Sequence, residues 1–133
     1  MIQASGYTEP DYDEEEFNQK ADRIQQRVRD HIGEHTLVRF EAYEKDADGL
    51  PVDNLDERVI QGRAQFMKVN AVKGYGHWDY VSPIQKNPTW MQVCVLANEM
   101  LLKTDDRQHV HLEGLELFSY DGKLWQIVFD MGS

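Results

Sequence analysis

The stretch from Trp90 to Leu102 limits the fold more than any other feature of this chain. It is long and apolar on both parities. Trp90, Cys94, Leu96, Met100 and Leu102 fall on one, and Met91, Val93, Val95, Ala97 and Leu101 on the other. A segment of this kind has to be covered on all sides, so the rest of the chain must wrap it. A helix satisfies the pattern, but the Val-rich centre favours a strand covered on both faces.

The covering elements are legible on either side. Phe17, Ala21, Ile24, Val28 and Ile32 form one apolar stripe between charged neighbours, which predicts an amphipathic helix over 13–32. Asp13 is its candidate N-cap, with Glu16 three residues on as in a capping box, and Gly33 is its stop. Alternation then predicts a strand near 36–44, with a continuation of the helix as the alternative. Residues 44–57 are polar, with Asp48-Gly49 and Pro51 marking a turn or loop. Asp46, Asp48 and Asp53 lack the ordered spacing and closing Glu of a calcium loop. Residues 58–72 fit a helix or a strand. After the apolar stretch, residues 104–107 read as a turn and His109 to Tyr120 as a strand. Asp121-Gly122 predicts a type I′ hairpin, and Leu124 to Met131 a last strand. The whole predicts an α+β fold. One N-terminal amphipathic helix packs on a strongly twisted antiparallel sheet that ends in a three-strand meander.

At 133 residues the chain has room for one domain, over 13–133, preceded by a flexible acidic arm over 1–12. The chain carries 24 acids against 14 bases, a net charge of −10, and six of the acids precede the first base, Lys20. Nucleic-acid binding and adhesion to anionic membranes are disfavoured, since both need clustered Lys and Arg. No apolar run is long enough for a membrane span, and the N-terminus shows no secretory signal. The single cysteine, Cys94, fits a buried structural thiol in a reducing, cytoplasmic compartment.

Two constellations could carry chemistry. His109, His111 and Glu113 alternate on one strand face, about 7 Å apart, as pocket-lining polar groups or an acid–base row. Together with Glu116 and Gly122 the two histidines look like the first metal motif of cupins. Lys103 stands where that motif has Gly, however, the Glu116–Gly122 spacing is one short, and no second motif can follow. Glu116 also has the opposite strand parity from the histidines, so no metal site is expected. The second constellation, His77-Trp78-Asp79 in an aromatic stretch, could hold a proton-transfer pair, since His77 and Asp79 share a strand side that Trp78 does not. Trp125, on the apolar face of the last strand, completes the pocket candidates. No nucleotide-binding Gly pattern, nucleophile elbow or zinc framework is present, and no cofactor is expected.

The order of elements, with Val59-Ile60-Gln61-Gly62-Arg63-Ala64-Gln65-Phe66 and the ending Leu115 to Trp125 around Asp121-Gly122-Lys123, resembles the SnoaL-like branch of the nuclear transport factor 2-like superfamily. The resemblance covers residues 14–131. It departs where a second helix would follow the first, which keeps a plainer cystatin-like roll open. It implies a cone with an apolar pocket, in a superfamily that includes isomerases, cyclases and domains with no activity. The expected function is therefore a small-molecule-binding domain with an apolar pocket, with SnoaL-like isomerisation or cyclisation as the chemistry the resemblance allows. The alternative is a non-enzymatic acidic module for protein–protein interaction. A homodimer packed sheet to sheet is expected, because one helix cannot cover both faces of a sheet built on an apolar central strand.

Overall fold

The computed structural model describes residues 13–133. The acidic arm expected over 1–12 lies outside the described residues. Helix α1 (Glu14–Ile32) starts where Asp13 accepts the backbone N–H of Glu15 at 2.8 Å and of Glu16 at 3.4 Å. Three acids occupy its first turn, where the helix dipole favours them. It stops at Gly33, whose N–H returns to the Arg29 carbonyl at 2.8 Å. Ile24 and Val28 from the stripe are buried.

Six short or medium strands follow: β1 (Arg39–Phe40), β2 (Glu44–Lys45), β3 (Pro51–Val52), β4 (Arg63–Asn70), β5 (Gly74–Val81) and β6 (Gln85–Lys86). Helix α2 (Trp90–Thr104) precedes the hairpin of β7 (His111–Tyr120) and β8 (Leu124–Gly132). The main sheet runs β1-β7-β8-β4-β5, with β6 paired to β4. It is mixed: β1 lies parallel to β7 and β4 parallel to β8. The β2–β3 hairpin stands apart, its turn held by Asp46, which accepts from the backbone of Asp48 and Leu50. The fold is thus α+β, with two helices packed on a mixed sheet.

Several expectations need correction. Trp90 to Leu102 is a helix. Thr89 and Gln92 form a reciprocal capping box, and the segment turns its apolar residues around most of the helix, burying Met91, Val93, Cys94, Leu96, Ala97, Met100 and Leu101. The three-strand meander is therefore absent, and β4 supplies the other neighbour of β8. The strand expected over 36–44 shrinks to Arg39–Phe40, because side chains take most of the hydrogen bonds a longer ladder would use. The Gly62-Arg63 step leads into a strand, with Gly62 at φ 113° and placed so that a β-carbon there would meet the Trp125 indole at 3.6 Å. The β7–β8 turn has positive φ at Gly122 but not at Asp121, so it is not type I′. Asp121 instead accepts from the backbone of Lys123 and Leu124, which closes the turn through a side chain. The premise of the sheet-to-sheet dimer, an apolar central strand, is likewise gone.

Two buried amides join the helices to the sheet edge. Gln25 of α1 donates to the Val38 carbonyl at 2.9 Å and accepts from the Phe40 N–H at 2.8 Å. Asn98 of α2 accepts from Leu37 and Val38 N–H at 2.6 and 3.0 Å and donates to the His35 carbonyl at 3.1 Å. Between sheet and helices lie Val38, Phe40, Ala64, Phe66, Val93, Leu101, Leu112 and Phe129, a filled core. Cys94 sits within it, and burial pushes its thiol up to about 12. On the opposite sheet face, Met67 faces Val128, which faces Glu116. Tyr75 donates to Glu116 and, with Trp78 and Phe118, forms an aromatic group on that face.

Asn98→Ala leaves three backbone groups without their partner and is expected to cost about 3 kcal/mol in urea unfolding. Gln26→Ala, on the exposed side of α1, should stay within about 0.5 kcal/mol.

Candidate functional site

The C-terminal end of α2 builds an organised polar group. Asp105 takes a left-handed backbone, φ 55°, and ends the helix. One carboxylate oxygen of Asp106 then accepts the backbone N–H of Gln108 at 2.8 Å and of His109 at 3.0 Å. This tight turn redirects the chain towards β7. The other oxygen lies 3.0 Å from Nδ1 of His109. The same residue therefore shapes the turn and fixes the imidazole. The backbone N–H of His109 is the largest influence holding the Asp106 carboxyl below its usual range, followed by that of Gln108 and then the His109 ring. Burial opposes them but does not prevail.

These residues line one wall of an open cleft of about 550 Å³. Thr104, Arg107, Ala71, Lys68 of β4, Asp79 of β5 and Met131 of β8 line the remainder. Asp79 is held by the side-chain amide of Asn70 at 3.0 Å. No partner holds Nε2 of His109 among the described residues. An imidazole tied at Nδ1 by a carboxylate, with Nε2 open to a cleft, can accept a proton from a bound molecule. Lys68 and Arg107 supply positive charge to the cleft, Arg107 lying 3.2 Å from Asp105, and Asp79, Asp105 and Asp106 supply negative charge.

Two of the seven candidates, Asp79 and His109, thus meet in one cleft. The row of His109, His111 and Glu113 does not form, because β7 begins only at His111 and His109 belongs to the preceding turn. His111 turns to Glu41, beside the parallel β1–β7 pair. The Glu113 carboxylate lies over Gly132 of β8, where it occupies the space a β-carbon would need. Glu116 is taken by Tyr75. The cupin-like set is accordingly dispersed. The described residues contain no group of three or more His, Cys, Asp or Glu placed to share a metal ion. Trp78 packs edge-on to Phe118 with ring centres 4.9 Å apart. His77 is exposed on β5 and lies outside the residues that line the cleft. Trp125 stacks on Tyr120 with ring centres 3.8 Å apart. Lys68 and Asp106 are missing from the sequence expectation. The Asp106-x-x-His109 spacing, a local side-chain-to-backbone turn, was the available signal.

The class these observations define is an α+β domain with a mixed sheet and an open polar cleft at one end. No known family profile matches the chain, and no solved structure matches it. Among curated proteins, acireductone dioxygenase 2 of Pectobacterium atrosepticum is 29% identical over 113 residues, covering 84% of this chain. The chain spans 60% of that relative's length. No helix among the described residues is long and apolar enough to cross a membrane.

The depressed Asp106 carboxyl has a pH signature. A carboxyl whose folded pKa lies below its unfolded value adds stability above the unfolded value, near 3.9, and loses it as pH falls through the folded one. Asp106→Ala should cost about 1 kcal/mol at pH 7 and much less near pH 2, read by denaturant unfolding at both. An equal cost at both would refute this.

Proposed function

We propose that this domain binds a small polar molecule in the cleft around His109, and that His109 takes or holds a proton of that molecule. The observation that carries the reading is the Asp106–His109 pair, fixed at Nδ1 and open at Nε2, within a cleft that also presents Lys68 and Asp79. An aligned imidazole and a neighbouring ammonium suit a ligand with an acidic C–H or O–H next to a carbonyl. Proton-transfer chemistry of that kind is compatible with a SnoaL-like isomerase or cyclase. The nuclear transport factor 2-like or cystatin-like roll remains part of the proposal, supported by helices gathered on one sheet face and by the Asp121-Gly122-Lys123 hairpin. A cytoplasmic setting is proposed with it, supported by a lone, buried thiol. Oxygen chemistry, which the name of the similar protein suggests for that protein, is commonly carried by a redox-active metal or organic cofactor. The dispersed His109, His111 and Glu116 do not fit a metal.

The test is a fragment titration with small hydroxy-ketones and keto acids, followed by amide NMR. Shifts are expected to saturate at Lys68, Asp79, Gln108 and His109, and to disappear in His109→Ala. Shifts centred elsewhere would overturn the reading.

A second reading, self-association, rests on one strand edge. β1 covers β7 only at His111 and Leu112, so among the described residues the outer edge beyond Gly114 has no strand beside it. Leu117, Phe118 and Tyr120, at 55%, 41% and 49% exposed, lie along that segment. Open edges of this kind invite pairing with another chain. Light scattering at twice 15.5 kDa would support a homodimer, and a mass of 15.5 kDa would exclude it under those conditions.

A further inference from the structure

A second cleft, of about 500 Å³, lies where the first turn of α2 approaches α1. Its ionisable lining is Arg27, His31, Asp56, Arg58 and Lys86. Asp56 is already engaged, 3.1 Å from Arg27. Arg58 and Lys86 have no acidic partner among the described residues. Two uncompensated positive charges therefore converge on one concavity in a chain of net charge −10.

What separates this cleft from a solvated basic surface is the rigidity of the backbone carrying the two cations. Arg58 forms a β-bridge with Thr89, and the Val59 N–H bonds the Pro88 carbonyl at 2.9 Å. Lys86 is paired with Arg63 in the β4–β6 ladder. The next residue, Asn87, has a left-handed backbone, φ 49°, held from two sides. Its N–H bonds the Gly62 carbonyl and its side chain accepts the Gly62 N–H, both at 2.7 Å. The end of α2 is not the attraction. The N–H groups of Trp90 and Met91 go to the Glu57 and Leu55 carbonyls, and that of Gln92 to the Thr89 hydroxyl. The charge in this cleft is side-chain charge on a fixed frame.

We propose that this cleft binds the phosphate group of a small phosphorylated molecule, at a site separate from the His109 cleft. A guanidinium presents paired donors that match phosphate oxygens, and an ammonium adds a compact charge. Arg58 and Lys86 make the primary contacts. Arg27 is held by Asp53 at 2.6 Å and by Asp56, which offset its charge, and it borders the cleft as a fixed wall rather than as a contact. The volume leaves room for more than the four oxygens of phosphate, so the cleft takes a monoester rather than only the free ion.

The test is amide NMR on the whole chain, titrated at constant ionic strength with inorganic phosphate, phenyl phosphate and, as the control, chloride. Saturable shifts are expected at Arg58, Lys86, Asn87 and Gln92 with both phosphates and not with chloride. Phenyl phosphate should bind at least as tightly as phosphate. The double variant Arg58→Ala/Lys86→Ala should weaken binding at least tenfold while its thermal midpoint stays close to the parent's. Lys73→Ala, in the β4–β5 turn, should bind like the parent. Shifts that fail to saturate, follow chloride equally, or persist in the double variant would overturn the proposal. Binding of phosphate with exclusion of phenyl phosphate would overturn the monoester assignment.

Discussion

The arrangement depends on one extended segment that has almost no strand partner of its own. Residues 35–40 offer backbone groups that a longer ladder would satisfy. Two side-chain amides replace that ladder, Gln25 from α1 and Asn98 from α2. A buried backbone group without a partner costs as much as a lost hydrogen bond, so the segment can sit inside only where both helices supply one. This ties α1, α2 and the β1 edge together and fixes how α2 crosses the sheet. The end of α2, and with it the Asp105–Asp106 turn, inherits that position. The polar cleft is thus a consequence of how the core is closed.

Where local signals and periodicity agree, the sequence shows its structure. Helix α1 has one stripe, a capping aspartate and a terminal glycine, and it folds as those predict. Trp90 to Leu102 misleads because its apolar residues fall on both parities. That pattern describes a doubly covered strand and also a helix buried over most of its circumference. The arbitrating signals lay at its boundary. Pro88 and the Thr89-x-x-Gln92 capping box mark a helix start, and the length exceeds that of an ordinary buried strand. Taking the stretch as a strand displaced its neighbours, since it then stood as the partner of β7, where the sheet has β1, and left the pairing of β4 with β8 unread.

The site was partly legible for a related reason. Alternation along 109–113 suggests a shared face only if the strand already includes His109. The Asp106 turn claims that residue first, through two backbone hydrogen bonds and a ring contact. Local side-chain turns outrank strand parity where a strand begins. The meeting of Asp79 with His109 depends on β4, β5 and β8 ending beside α2, a long-range fact that no spacing along the chain encodes. Glu41 opposite His111 depends likewise on the parallel β1–β7 pair.

The central functional claim is that Asp106 holds His109 by Nδ1 and leaves Nε2 free for a ligand. The tautomer of the neutral ring tests it most directly, through long-range ¹H–¹⁵N correlation of the His109 imidazole. The account requires the proton on Nδ1, with Nε2 showing the nitrogen shift of an unprotonated acceptor. Loss of that preference in Asp106→Ala would follow. A neutral ring protonated at Nε2 in the parent protein would contradict the account.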